Sequence, residues 1–469
     1  MSRWLSWPFG TETAQGLDLA LPWVFVLCAL PVMIFIAITV PPGQSPDEIA
    51  HAIRAASVVH FQIVGARGKP AWARDHYEEQ LNVMADLGTA TVAWRSPTAD
   101  QYYGAATQAY VRATPWSGRL LPANVANTGT YPPFLYVPAA IAFRIAHRLR
   151  GSPYDAFIAA RCADAVCYAL LGLLGLVLAR RGKLLLFTVL VLPPALWLGG
   201  TLHPDGLMIG LAVLSAALLS GAEQSRARLW LAAATLAFVI LARPPLIPLA
   251  LFIALPLGPR RSVGPFLLAS LPGLFWILIV VPHVAVPFYS ADASPAGPLW
   301  IADPSHLFGQ TNPAIQARIL LSHPGRLLTL PVATILTEWK IRLGELVGVV
   351  GTLNVRLPQF IWTLGFAALI AALVGFGRDP ANARLKSAIP ICAATILLLY
   401  DAQYMSWTHV GDALIQGIQG RYFLELLPFL ALAAAPRPAR PIWALPAIIL
   451  AACDLAAVPW TILQAYYVK

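Results

Sequence analysis

Apolar stretches long enough to cross a bilayer as helices, separated by short polar breaks, run through most of this 469-residue chain. The breaks are basic. Arg180, Arg181 and Lys183; Arg226 and Arg228; Arg260 and Arg261; Arg378, Arg384 and Lys386; and Arg437 and Arg440 occupy successive short loops, with Arg3 ahead of the first span. Short loops rich in Lys and Arg stay cytoplasmic, so all of these belong on one side. Fitting spans between them predicts helices near 19–40, 155–179, 184–202, 206–222, 229–242, 245–257, 264–282, 358–377, 387–400, 422–435 and 441–461, about eleven in all. The apolar segment 131–147 is not one of them, because counting it would put Arg180 to Lys183 outside and invert every later loop. It reads as an interfacial or re-entrant helix on the outer face, with Arg144, His147, Arg148 and Arg150 near headgroups. The outer side then carries residues 41–154, 283–357 and 401–421, and the first two are too long to be mere connectors. The expected fold is all-α and membrane-integral, one polytopic domain over 1–469 with membrane-parallel helices in a large first outer loop.

Composition fixes the class. Hydrophobic residues are 58%, charged residues 12%, and the mean hydropathy is +0.66, values that exclude a soluble globular protein. The 41 Pro and 33 Gly suit transmembrane helices, where both are better tolerated. The net charge of +10 is spread in ones to threes with no long Lys/Arg run, so it reads as a topology signal and not as a nucleic-acid surface. Cys28, Cys162, Cys167, Cys392 and Cys453 fall in predicted spans at no metal-ligand spacing. A polar stretch precedes the first span and no small-residue cleavage site follows it, so that span reads as retained.

Candidate chemistry begins where that span stops, in PPGQSPDEIAHAIR, residues 41–54. Adjacent carboxylates at a membrane surface are costly to hold and often functional. With Ser45 as a helix cap and Pro46 as its first residue, Asp47, His51 and Arg54 share one face. A structural reading competes: Ser45 to Glu48 spells a capping box, with Glu48 reaching back to the Ser45 amide and Asp47 favoured by the helix dipole. The two readings separate the pair, leaving Asp47 available for chemistry and Glu48 for structure.

Three further motifs lie on the same outer face. Thr201 to Gly206 puts His203 and Asp205 at a Pro-then-acid helix opening, for which capping is the alternative role. Arg243, before Pro244 and Pro245, sits in a tight outer turn, suited either to snorkelling or to a lipid phosphate. In QGIQGRYFLELLP, residues 416–428, Gly417 and Gly420 permit close backbone approach, and Arg421 offers a planar charged fork for phosphate. Arg421 and Tyr422 also fit an interfacial anchor pair.

The PxDExxHxxR stretch (Pro46, Asp47, Glu48, His51, Arg54), the YPPxxYxP helix (Tyr131, Pro132, Pro133, Tyr136, Pro138), the acid-bearing turn at Asp205 and the late QGRYF (Gln419, Gly420, Arg421, Tyr422, Phe423) together resemble a bacterial family of multispanning proteins of unknown function. That family looks like a branch of the GT-C glycosyltransferases, and the resemblance covers nearly the whole chain. It implies an inner-membrane protein with its active site on the periplasmic or extracellular face and an essential acid near the start of the first outer loop. Asp47 holds that place, and Asp205 matches the second acidic motif of the oligosaccharyltransferases. No soluble C-terminal domain follows, which argues against a folded protein acceptor.

The implied reaction transfers a sugar from a polyprenyl-phosphate donor to a glycan or lipid-linked acceptor. A carboxylate accepts the acceptor's hydroxyl proton and cations steady the departing phosphate. Asp47, Glu48 and Asp205 are the candidate catalytic acids; Arg54, Arg243 and Arg421 the phosphate ligands; His51, His203, Gln419 and Tyr422 the supporting residues. One direct displacement inverts the anomeric centre. The scheme calls for no cofactor and no metal, and its partners are lipid donor, acceptor and bilayer, with no nucleic acid. A glycan polymerase or ligase using the same carrier is an alternative, as is a flippase for lipid-linked glycans, although no internal repeat of the transporter kind is evident.

Overall fold

The computed structural model describes residues 11–68, 80–97, 101–221, 225–254, 259–284, 313–375, 377, 383–408, 410, 412–435 and 439–468. Residues 285–312 of the expected second outer segment, together with Arg3, Arg378 and Arg437, lie outside this set. The chain opens with α1 (Thr11–Thr39). A mixed region follows, made of α2 (Glu48–Val58), β1 (Ala66–Gly68), β2 (Gln80–Ala85), α3 (Gly88–Arg95), α4 (Ala105–Arg112), β3 (Leu121–Asn124) and α5 (Val137–Arg148). The helical bundle continues with α6 (Pro153–Leu178), α7 (Lys183–Val191), α8 (Pro193–Gly200), α9 (Pro204–Leu219), α10 (Arg226–Ala242), α11 (Leu251–Ala254), α12 (Pro259–Phe275), α13 (Val281–Val284), α14 (Pro313–Ser322) and α15 (Arg326–Val347). After the short hairpin β4 (Val349–Val350) and β5 (Val355–Arg356) come α16 (Gln359–Val374), α17 (Ala383–Ser406), α18 (Leu427–Leu430) and α19 (Pro441–Tyr466).

Among the described residues five helices are long and apolar enough to cross a membrane: α1, α6, the run Arg260–Val284, α17 and α19. Two bent pairs raise the number to seven, α7 with α8 at 62° and α14 with α15 at 107°. The first bend falls at Leu192, before Pro193 and Pro194, where proline disfavours a helical residue ahead of it and removes an N–H from the ladder. Expected span 184–202 is therefore broken. Expected span 422–435 consists of short turns, Gly420–Phe423, Leu427–Leu430 and Ala431–Ala433, and expected span 245–257 is a 3-10 turn, Pro244–Ala250, running into α11.

An all-α reading is corrected by the region after α1. Strands β1, β2 and β3 form an antiparallel sheet in that order, with Asn82 opposite both Ala66 and Asn124. Its strands are short and interrupted, so no apolar alternation announces them. The sheet matters because β3 runs into the turn that carries Asn127, where the Thr128 and Gly129 amides both donate to the Val125 carbonyl.

The bundle's two ends differ in chemistry. At one end, Arg228 donates to the Leu178, Ala217 and Leu218 carbonyls, supplying partners to the last turns of α6 and α9 that those helices cannot provide themselves. Lys183 pairs with Asp18 there at 3.1 Å, and Arg181 reaches the Ala434 carbonyl. The opposite end holds the C-terminus of α1 and the N-termini of α2, α6 and α9. The candidate site lies there.

Candidate active site

Asp47 and Glu48 are neighbours in sequence and diverge in space. Helix α2 begins at Glu48, not Pro46, and Asp47 is its N-cap in the left-handed region, φ 55°, with no side-chain cap bond. The expected capping box is absent: Ser45 is buried and its hydroxyl oxygen accepts from Thr201 Oγ1 at 3.0 Å. Glu48 turns inward instead. Arg161 Nε and Nη2 donate to its two oxygens at 2.8 and 2.7 Å, and the Gly43 and Leu202 amides donate to the same oxygens at 2.8 and 2.9 Å. Arg161 also donates to the Ala37, Val40 and Pro41 carbonyls, closing the end of α1. With four donors on its two oxygens, Glu48 is held as a structural keystone.

Arg54 serves the backbone. It is fully buried, donates to Ser57 Oγ and to the Gln62, Ile63 and Tyr131 carbonyls, and thereby ties the turn after α2 to the start of the YPP segment. Both Nη atoms are taken up by these acceptors, while Nε is buried without a hydrogen-bond partner.

Asp47, Asp205, Arg243, Arg421, His51, His203 and Tyr422 do come together. Arg243 Nη2 donates to Asp205 Oδ1 at 2.9 Å, while its Nη1 donates to both oxygens of Glu425 at 2.7 Å. Arg421 reaches between two acids, with Nε 3.7 Å from Asp205 Oδ2 and Nη2 3.9 Å from Asp47 Oδ2, and Nη1 against His203 Nε2. The Tyr422 ring lies under both guanidiniums, 4.6 Å from Arg243 and 5.5 Å from Arg421. Arg421 Nε, Asp205 Oδ2 and Gln419 Oε1 are buried without hydrogen-bond partners. Unmet polar groups of this kind gathered in one place are the expected signature of a ligand site.

Glycine sets the position of Arg421. A Cβ on Gly420 would sit 2.7 Å from Glu345 Cβ and 2.8 Å from the Leu346 nitrogen, so α15 packs directly on this backbone, and the Gly420 amide donates to Glu345 Oε2 at 2.6 Å. Arg342 in turn donates to both Glu345 oxygens. Gly417 has φ +80° and packs against Trp407.

Neither imidazole adds a positive charge. Burial pushes His51 down to about 4, outweighing the pull of Asp47 and Asp205, and takes His203 well below the usual range. The rings stack edge to face, centroids 4.5 Å apart, and His51 Nδ1 lies 2.9 Å from the Tyr136 hydroxyl. His203 Nδ1 accepts from the Asp205 amide, which opens α9 as a cap. Asp47, Asp205 and Glu425 face Arg243 and Arg421. Arg243 is committed to Glu425 and Asp205, while the Asp47 side chain is 44% exposed. Asn127 Nδ2 donates to its Oδ1 at 3.0 Å. Among the described residues no group of three or more His, Cys, Asp or Glu is arranged to hold a metal ion.

Residues 30–430 match the model of a protein family described as "Predicted membrane protein (DUF2142)". The chain belongs to this family. Comparison with curated proteins and with solved structures gave no match. Every residue of the acid–arginine cluster, from Asp47 to Glu425, falls inside the DUF2142 match.

Within this DUF2142 chain, sequence reasoning missed Glu425, Arg161, Asn127 and Glu345. Two of them had a legible signal, since Glu425 and Arg161 are isolated charges inside apolar stretches, where ionisable residues are rare and paired. Asn127 and Glu345 had none, because their roles depend on the sheet and on the packing of α15.

Proposed function

We propose that this protein is a GT-C-type membrane glycosyltransferase that moves a sugar from a polyprenyl-phosphate donor to a glycan or lipid-linked acceptor of the bacterial cell envelope. The reading includes the finer topology, about eleven spans with the region after α1 on the outer face of the inner membrane. The basic loops at one end of the bundle and the acid cluster at the other are in keeping with that orientation. The observation that carries the proposal is the meeting of Asp47 and Asp205 at Arg421, with Asp205 Oδ2 and Arg421 Nε 3.7 Å apart and making no hydrogen bond.

Chemically, Asp47 serves as general base. It is the acid of the cluster with solvent access, since Asp205 is buried and the Asp47 side chain is 44% exposed. The carboxylates of Asp47 and Asp205 suit a transition state in which the sugar carbon becomes cationic, and Arg421 faces the phosphate that leaves. Arg243, locked to Glu425 and Asp205, acts through Asp205 as a positioning residue. Glu48 and Arg54 drop out of the reacting set.

The test is transfer of labelled sugar from a polyprenyl-phosphate donor by purified protein in proteoliposomes. Arg421→Ala should raise the donor KM and lower kcat, and Arg421→Lys should restore only part, since an ammonium lacks the two-pronged fork. Normal donor use by Arg421→Ala would reduce the residue to a headgroup anchor.

A further inference from the structure

A cleft of about 640 Å³ lies between the C-terminal end of α2, the loop before β3, and α5, at the other end of α2 from Asp47. Helix α2 has 11 residues, so the cleft is roughly 16 Å from Asp47 at 1.5 Å per residue. Its floor is apolar, built by Val59, Phe143 and Leu120, with the Trp116 ring set edge-on to His147 at a centroid separation of 4.9 Å. Its rim is cationic. Arg119, Arg144 and Arg148 line it, all exposed, and none of the three guanidiniums has a hydrogen bond or ion pair among the described residues. Asp86 is the carboxylate of the lining, and it is already committed, accepting from the Gly88, Ser117 and Gly118 amides at 2.8, 3.0 and 3.0 Å.

The neighbouring stripe of α5 identifies the occupant. Arg144 and Arg148 are one turn apart, and beside them run Val137, Ile141, Ile145 and Leu149, exposed by 43, 54, 52 and 78%. Apolar residues at four-residue spacing make a continuous face. A cationic notch bordered by such a face fits a molecule with an anionic head and an apolar tail lying along the helix. We infer that this cleft binds the phosphate headgroup of an anionic phospholipid of the surrounding leaflet, with its acyl chains against the α5 stripe. The site is separate from the acid cluster, and it gives the sheet-bearing region a footing on the bilayer.

The inference is tested without turnover, so it stands or falls apart from the glycosyltransferase reading. Full-length protein in neutral detergent is titrated with phosphatidylglycerol and with phosphatidylcholine, and bound lipid is read by native mass spectrometry. Phosphatidylglycerol should bind preferentially. Arg144→Gln/Arg148→Gln should weaken it roughly thirtyfold, whereas Arg144→Lys/Arg148→Lys should keep most of the affinity because the attraction is largely one of charge. Thermal melting in lipid-free detergent separates loss of binding from loss of fold, and Arg119→Gln, on the loop, gives a second variant if the α5 pair does not fold. Equal binding of the two lipids, or unchanged binding by the Gln variants, would overturn the inference. So would retention of polyprenyl phosphate, and not phosphatidylglycerol, at these arginines, which would make the cleft a carrier site.

Discussion

Asp47 and Glu48 stand next to each other and end in opposite circumstances. Glu48 is sealed: four donors converge on two oxygens, and its partner Arg161 uses the rest of its fork on carbonyls at the end of α1. Asp47 is open: one amide holds one oxygen, and the other faces Arg421 across 3.9 Å. The second cluster shows the same split, since Arg243 is closed by hydrogen bonds to Glu425 and Asp205 while Arg421 Nε makes no hydrogen bond and only a looser 3.7 Å ion pair. A saturated buried pair has nothing left for a substrate and contributes shape; an under-satisfied one retains capacity for a ligand.

Breaking the sealed pair should have the largest effect. Arg161→Ala leaves Glu48 buried without a counter-ion and removes the donors that close α1. The expected loss is about 3–5 kcal/mol, read as a large fall in melting temperature or failure to fold. Glu48→Leu/Arg161→Met should recover only part, because the Gly43 and Leu202 amides would still lack an acceptor. A double variant as stable as the parent would show that the pair is replaceable packing.

The open member should behave in reverse. Asn is tolerated in the left-handed region, so Asp47→Asn keeps the backbone while abolishing proton acceptance. Transfer should fall on the order of a hundredfold or more with the melting temperature little changed, whereas Glu48→Gln should lower the melting temperature. Full activity in Asp47→Asn would move the base to Asp205, which is tested by Asp205→Asn in turn.

A smaller effect is written into the histidines that line the open cluster. His51 is neutral when folded, down to about 4 from an ordinary 6.5, so the unfolded chain binds more protons in between. Stability from this residue is fully present above pH 6.5 and is lost as pH falls toward about 4. His203 is shifted the same way and adds to the loss. His51→Gln should flatten the acid side of the melting-temperature profile without removing its slope. A profile identical to the parent's would mean that the imidazole is solvated at low pH.

Legibility in the sequence follows the same division between local and distant causes. Spacing and composition were enough for a membrane-embedded helical chain and for singling out Asp47, Asp205, Arg243 and Arg421, which the fold brings together, because apolar length and isolated charge are local signals. They misread α2, whose start shifts because Glu48 is pulled to Arg161, 113 residues away. They could not foresee the sheet, since β1, β2 and β3 pair across long gaps. The PxDExxHxxR pattern also bundled residues with separate fates, as Arg54 shares the motif with Asp47 and serves the backbone instead. Helical spacing puts residues on one face; it does not say which neighbours compete for them.

The finest test of the open site concerns the residue the sheet delivers. Asn127 holds Asp47 Oδ1 by a single hydrogen bond in a partly exposed position, and its own Oδ1 is buried without a partner. Asn127→Ala should leave the fold intact and free the carboxylate to rotate, lowering kcat about fivefold, the equivalent of about 1 kcal/mol, with KM nearly constant. Asn127→Asp keeps the size and adds a like charge, which disfavours ionisation of its neighbour; the acid limb of the pH–rate profile should then move to higher pH. A purely structural role would lower the melting temperature in both variants and leave that limb in place. Movement of the limb in Asn127→Asp, together with a kcat effect in Asn127→Ala, would tie the turn after β3 to the chemistry at Asp47.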